Sequence, residues 1–199
     1  SYAASFGVDS LEYKKRLLKK CSKFLNDFDA ISVREKGAIN LCKNSFNVND
    51  VKLVLDPTLL LEIDDYKNIL NKENLISTKQ IMYYVLDEEF SKPEVEYEIS
   101  NFLNMPLKKI MPQSFVKEKD LKISDKHIYP PVEEWLEGFI SSEFIVTDSF
   151  HGTIFSILFN KQFITVGNKE RGMSRFESII SLFGLEDRLV LNKKDLKKT

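Results

Sequence analysis

Short apolar segments of strand character alternate with segments of helical apolar spacing along nearly the whole chain, and this alternation constrains the fold most. "SYAASFG" reads as a strand, and "DSLEYKKRLLKKCSKFLNDF" then carries Leu11, Leu17, Leu18, Cys21, Leu25 and Phe28 at helical spacing, with Asp9 or Ser10 as N-cap. "AISVR" is a strand, "EKGAINLCKNSF" a helix through Ile39, Leu41, Cys42 and Phe46, and "VKLVL" a strand again. It stops at Pro57, which has no N–H to donate to a ladder and restricts Asp56. The β-α-β-α-β order favours a parallel sheet covered by helices.

From "LEIDDYKNIL" to "NKENLISTK" the pattern turns polar and mixed, which places a domain boundary near residue 70 and divides the chain into 1–70 and 71–199. The alternation then restarts with the strand "QIMYYVL", the helix "DEEFSKPEVEYEISNFLN" with Pro93 in its early part, the short strand "KKIMPQS" and the polar loop "FVKEKDLKISDKHIY". "PPVEEWLEGFISS" is a helix entered through proline, with Trp135, Leu136, Phe139 and Ile140 on its buried face. The strand "EFIVTD", the helix "SFHGTIFSILFN", the strand "QFITVG" and the helix "SRFESIISLFGL", ended by Gly184, complete a second α/β unit.

Charge removes several classes of partner. The 29 Lys and Arg nearly cancel the 30 Asp and Glu, leaving a net charge of -1, so no bulk field draws the chain to nucleic acid or to an anionic membrane. Any anion site must be local. Cys21 and Cys42 lie in helical stretches without metal-ligand spacing and read as reduced structural thiols. No apolar run nears the roughly 20 residues that span a bilayer, and no signal-peptide pattern is present, so the expected location is the cytoplasm. Because Ser1 opens the chain with a strand that nothing precedes, the chain is expected to be a piece of a longer protein.

Ligands of open α/β sheets settle at the C-terminal ends of parallel strands, where helix N-termini point their N–H groups. Three junctions of this kind carry suggestive residues. In Asp148–Thr153, Ser149 is a natural N-cap, Gly152 lets a ligand approach the backbone, Thr153 adds a hydroxyl, and His151 would face an anion or pass a proton. The competing account is a capped helix start whose imidazole is solvated or packed. In "ISVREKG", Arg34 ends a strand and would reach a carboxylate or phosphate with its planar fork, unless it is simply a surface arginine paired with a neighbouring acid. In "GNKERGMSRF", Arg171 and Arg175 near Gly167 and Gly172 suit an anion clamp or, equally, a solvated charge cluster.

Other features point to structure. His127 sits in a polar loop without metal partners, and Asp64-Asp65 and Glu133-Glu134 read as helix-start acids that complement the dipole. The 15 Phe and 7 Tyr are not interleaved with a basic patch and read as core. There is no GxGxxG, P-loop or CxxC, and no metal cluster is evident.

Taken in order, "SYAASFG", "ISVREKGAINLC", "LVLDPTLLL", "PPVEEWLEGFISSEFIVTDSFHGTIFSILFN" and "RGMSRFESIISLFGLEDRLV" resemble the polysaccharide pyruvyl transferase family, with TDSFHGT and RGxSRF the most specific parts. The resemblance implies an α/β fold of Rossmann-like parallel sheets similar to the GT-B glycosyltransferases, with the active site in the cleft between two halves. It implies transfer of a pyruvyl group from phosphoenolpyruvate to a hydroxyl pair of a sugar, forming an acidic ketal on a cell-surface glycan, such as an exopolysaccharide, or on its lipid-linked precursor. His151 and Arg34 match the histidine and arginine that the family places at the phosphoenolpyruvate site. Phosphoenolpyruvate is then a donor substrate, with no cofactor or metal, and a lipid-linked acceptor would bring the protein to the inner face of the membrane. Family members usually carry a GSDQVWN-like segment before the opening strand. This chain lacks it, so residues 1–70 are expected to be the end of a truncated N-terminal half, with an incomplete acceptor site and no activity alone. A nucleotide-sugar glycosyltransferase and a noncatalytic module for anionic glycans or proteins are the rival expectations.

Overall fold

The computed structural model describes residues 1–8, 10–11, 13–70, 76–87, 92–111, 128–167 and 172–191. It divides into two compact units, Ser1–Leu61 with Gly167–Thr199, and Glu62–Val166.

The first unit is built on two parallel strands, β1 (Ile31–Val33) and β2 (Val51–Leu53), in the register Ile31 to Val51. The expected opening strand is reduced to one parallel bridge between Ala4 and Val33. Ala3 has a φ of 51°, outside the β region, and breaks the ladder there. Between the strands runs α2 (Lys36–Phe46), closed by Asn47 in the left-handed conformation. Ile31, Val33, Ala38, Cys42, Phe46 and Val48 form the core, with Phe6, Leu18, Cys21 and Leu25 packed against it.

The first helix, α1, is shorter than its apolar spacing suggests, spanning Lys15–Leu25 with Lys14 at the N-cap and no side-chain cap bond. Asp9 lies outside the described residues, while Leu11, Leu17 and Phe28 are exposed. Among the described residues, contact with the core reaches Leu18, Cys21 and Leu25 and not Leu11, so burial does not reward extending the helix back to Leu11. After β2, Asp56 caps a 3-10 turn at Pro57–Leu60. The tail adds a helix, Met173–Phe183, and a short strand, Leu189–Val190, whose Val190 carbonyl accepts the Gly167 N–H at 2.8 Å. Gly184, with φ 64°, ends that helix as expected.

The second unit opens with α3 (Ile63–Ile69), a helix that only its first-turn acids, Asp64 and Asp65, mark in a polar stretch. Its reciprocal capping box joins Glu62 and Asp65. The remaining elements are β3 (Thr78–Tyr84), α4 (Pro93–Leu103), β4 (Leu107–Lys109), α5 (Val132–Ser141), β5 (Ser142–Thr147), α6 (Phe150–Leu158) and β6 (Gln162–Val166). The strands of this unit run in the order β4-β3-β5-β6, and every pair is parallel. This is the expected mixed α/β, Rossmann-like class.

Helices cover both faces of the sheet. Alternate residues of β3 separate them: Ile81 and Tyr83 join Val95 and Ile99 of α4, while Tyr84 meets Trp135 and Phe139 of α5 on the other side. Pro93 is the first residue of α4, where its missing N–H costs nothing. Asp64 and Asp65 lie in the first turn of α3, and Glu133 and Glu134 in that of α5, as read from the sequence. Leu136 and Phe139 are buried and Trp135 and Ile140 half-buried, so the expected inner face of α5 is correct. Both cysteines are free thiols. Among the described residues no helix is long and apolar enough to cross a membrane.

Candidate functional site

In the second unit, β5 ends at Thr147 and α6 starts at Phe150, so Asp148 and Ser149 make the turn at the C-terminal edge of the sheet. Ser149 holds an extended conformation and its Oγ accepts the Gly152 N–H at 3.3 Å, the cap expected from sequence. Its own N–H donates to Thr147 Oγ1 at 3.1 Å. Asp148, 4% exposed, accepts the Leu86 and Asp87 N–H groups, one on each carboxylate oxygen, at 2.7 Å. That carboxylate ties the loop after β3 to the end of β5.

His151 is the second residue of α6 and is exposed, with the Phe150 ring edge-on at 5.6 Å. Its imidazole stands at the positive end of the helix dipole, where an anion is favoured. Gly152 and Thr153 are turned inward. A Cβ at Gly152 would meet Thr147 Oγ1 at 2.2 Å, so glycine is required for helix-on-strand packing. Thr153 is fully buried, and its hydroxyl donates to the Ser149 carbonyl at 3.1 Å and lies 2.8 Å from Thr165 Oγ1.

Tyr84, at the end of β3, is the neighbour of this junction. Burial pushes its phenol up, and the Ser149 hydroxyl and Trp135 indole facing it partly offset the shift.

The arginines belong to the first unit. Arg34 follows β1, and its Nη1 is paired with Asp56 Oδ2. Asp56 is 2% exposed and its Oδ1 also takes the Thr58 N–H at 3.0 Å and the Thr58 hydroxyl at 2.8 Å. This pairing with an acid is therefore a partly buried strand-end device rather than a surface contact. The adjacent Glu35 is fully buried, and its Oε1 accepts the Ser5 hydroxyl and the Phe6 and Gly7 N–H groups at 3.0, 2.7 and 3.1 Å. Gly7 has a φ of 76°, and a Cβ there would lie 3.8 Å from Arg175 Cζ. A Cβ at Gly172, φ 80°, would strike the Gly7 carbonyl at 2.2 Å and Arg175 Nη2 at 2.8 Å. Two glycines thus let the residue 5–7 turn, the start of the tail helix and the Arg175 guanidinium come together.

Ser149, His151, Gly152 and Thr153 therefore share one helix start, and Arg34 and Arg175 flank the buried Glu35 turn. Arg171 and His127 lie outside the described residues. Sequence reasoning passed over Asp148, Glu35 and Asp56, although each is an acid within three residues of the end of an apolar strand, the position where loop amides need an acceptor. It also took Tyr84 only as strand.

A family model described as polysaccharide pyruvyl transferase matches residues 1–170. No curated protein matches the chain. The matched region includes Arg34, Ser149, His151, Gly152 and Thr153 and stops short of Arg171 and Arg175.

Proposed function

The chain belongs to the polysaccharide pyruvyl transferase family, and from that premise we propose that it moves the pyruvyl group of phosphoenolpyruvate onto two hydroxyls of one sugar in a cell-surface polysaccharide or its precursor. The observation that carries this reading is the exposed His151 imidazole at the capped start of α6. That position suits an anion and a proton transfer alike.

Chemically, the enol CH2 takes a proton and becomes methyl, which makes the phosphate-bearing carbon electrophilic. One sugar hydroxyl adds to that carbon and gives up its proton. The second hydroxyl then displaces inorganic phosphate and closes the ketal. His151 delivers the first proton or holds the phosphate. Arg34, with Arg175 and Arg171, supplies cationic forks for the carboxylate and the phosphate. Ser149, Gly152 and Thr153 serve by shaping the helix start. In this reading residues 1–70 belong to one Rossmann-like half and residues 71–199 to the other, with the tail from Gly167 returning to the first unit. Action on lipid-linked precursors would place the protein at the inner face of the membrane.

The test is phosphate release and ketal formation by the full-length enzyme from phosphoenolpyruvate with glycan acceptors, alongside thermal-shift titrations. Phosphoenolpyruvate should raise the midpoint. His151→Ala should lower turnover by about 10²–10⁴-fold. Stabilisation by nucleoside diphosphates and not by phosphoenolpyruvate, without phosphate release, would defeat the proposal. Near-native turnover in His151→Ala would remove the imidazole from it.

A further inference from the structure

A cleft of about 160 Å³ opens at the C-terminal ends of β3 and β4. Tyr84 forms one wall, Ile110 and Met111 come from the end of β4, Tyr129 and Val132 lead into α5, and Trp135 comes from that helix's first turns. Among the described residues the lining carries no charge, so a donor with a phosphate and a carboxylate finds no counter-ion among them. Nor is it roomy enough for a nucleotide, since sites for ligands of that size are typically about 300 Å³ or more.

The Trp135 wall is fixed. Trp135 stands edge-on to Tyr84 at 5.6 Å, to Phe139 at 4.7 Å and to Phe155 at 4.8 Å, so its ring is locked from three sides. Such rings present faces of negative potential, which attract the polarised C–H groups on one face of a pyranose. The cleft also adjoins the candidate chemistry, because Tyr84 pairs with Thr147 at the end of β5, and Thr147 Oγ1 accepts the N–H of Ser149, the cap of the helix that carries His151.

We propose that this cleft is the acceptor subsite, seating one pyranose ring of the glycan on the Trp135 and Tyr129 rings with its hydroxyls directed toward the start of α6. The proposal rests on the pyruvyl-transfer reading. It assigns acceptor recognition to Tyr129, Trp135 and Tyr84 and leaves the donor to the cationic groups.

Trp135 is the single tryptophan of the chain, so its fluorescence reports the cleft without interference. The chain is titrated with the methyl glycosides of galactose, glucose and N-acetylmannosamine, with phosphoenolpyruvate and with UDP. At least one glycoside should change the emission saturably, while phosphoenolpyruvate should not. Tyr129→Ala, at a position that is 61% exposed and so dispensable for folding, should remove the glycoside response. In transfer assays it should raise the acceptor KM by about 3- to 10-fold and leave the phosphoenolpyruvate KM unchanged. Absence of a response to every glycoside, a response to UDP alone, or an unchanged acceptor KM in Tyr129→Ala overturns the proposal. Tyr129-dependent glycoside binding without any ketal formation by the full-length enzyme would instead sink the pyruvyl-transfer reading and keep the cleft as a sugar site.

Discussion

Gly152→Ala separates two reasons for a glycine at the start of α6, ligand approach and packing. A Cβ at this position lies 2.2 Å from Thr147 Oγ1 and 3.0 Å from Thr147 Cβ. Thr147 is fully buried and its Oγ1 holds the Ser149 N–H, so it has little room to yield. Overpacking of this sort costs about 1–3 kcal/mol. The better helix propensity of alanine returns at most about 1 kcal/mol, and less in a first turn. A net loss of about 1–2 kcal/mol follows, and at about 2–4 °C per kcal/mol for a chain of this length the melting midpoint should fall by about 2–8 °C. Thermal unfolding followed by circular dichroism measures it for Gly152→Ala, Thr147→Ala and the double variant. If the clash is the cause, adding Gly152→Ala to Thr147→Ala should cost clearly less than Gly152→Ala alone, since only the 3.0 Å approach to the Cβ of residue 147 remains, a coupling of up to about 1–2 kcal/mol. A single variant as stable as the parent, or two changes that simply add, would refute the packing argument and return the glycine to ligand approach.

Arg34→Ala should raise the phosphoenolpyruvate KM. It should also destabilise, because it leaves the buried Asp56 carboxylate without its guanidinium, a loss of up to about 3–5 kcal/mol that the Thr58 bonds reduce; urea unfolding beside steady-state kinetics reads both effects. Asp148→Asn turns an amide NH2 toward one of two backbone donors and should cost about 1.5–3 kcal/mol. Amide exchange at Leu86 and Asp87 should quicken more than elsewhere in the sheet. Raising the pH should weaken the fold. Burial first, then the Glu35 carboxylate, raises the Cys42 thiol, and burial also leads the upward shifts of the Tyr83 and Tyr84 phenols. Each of these groups deprotonates more readily when unfolded, so stability should decline from about pH 8.5 and more steeply above about pH 10. Lys161, lowered by burial, opposes this with a single proton near the top of that range. Urea midpoints that stay level or rise between pH 8 and 11 would contradict the balance.

Much of the architecture was legible because burial leaves a period in the sequence. Strands β1, β2, β3, β5 and β6 and helices α2, α5 and α6 fall where apolar runs and helical spacing place them. Failures came where burial and period part company. The helix α3 shows no apolar period, only its helix-start acids Asp64 and Asp65, and is held by the Glu62–Asp65 capping box, while α1 stops where its contact with the core ends. The Ser149 cap was readable for the same local reason, since its partner, the Gly152 amide, lies three residues away.

By itself the sequence determined the order of elements, the parallel α/β class, the family through its ordered segments, and the residue types able to handle an anion and a proton. Tertiary structure alone decided how those residues are employed. It turned Gly152 and Thr153 inward against Thr147 and Thr165, bound Arg34 to Asp56, spread Asp148 across two loop amides and brought Arg175 beside Gly7. It also returned the tail to the first unit and set Tyr84, Tyr129 and Trp135 around one cleft. The physical reason is separation along the chain: a cap or a helix period joins residues three or four positions apart, whereas Arg34 and Asp56 are 22 apart and Leu86 and Asp148 are 62 apart. Contacts of that span exist only once each sheet has formed and brought its own strand ends together.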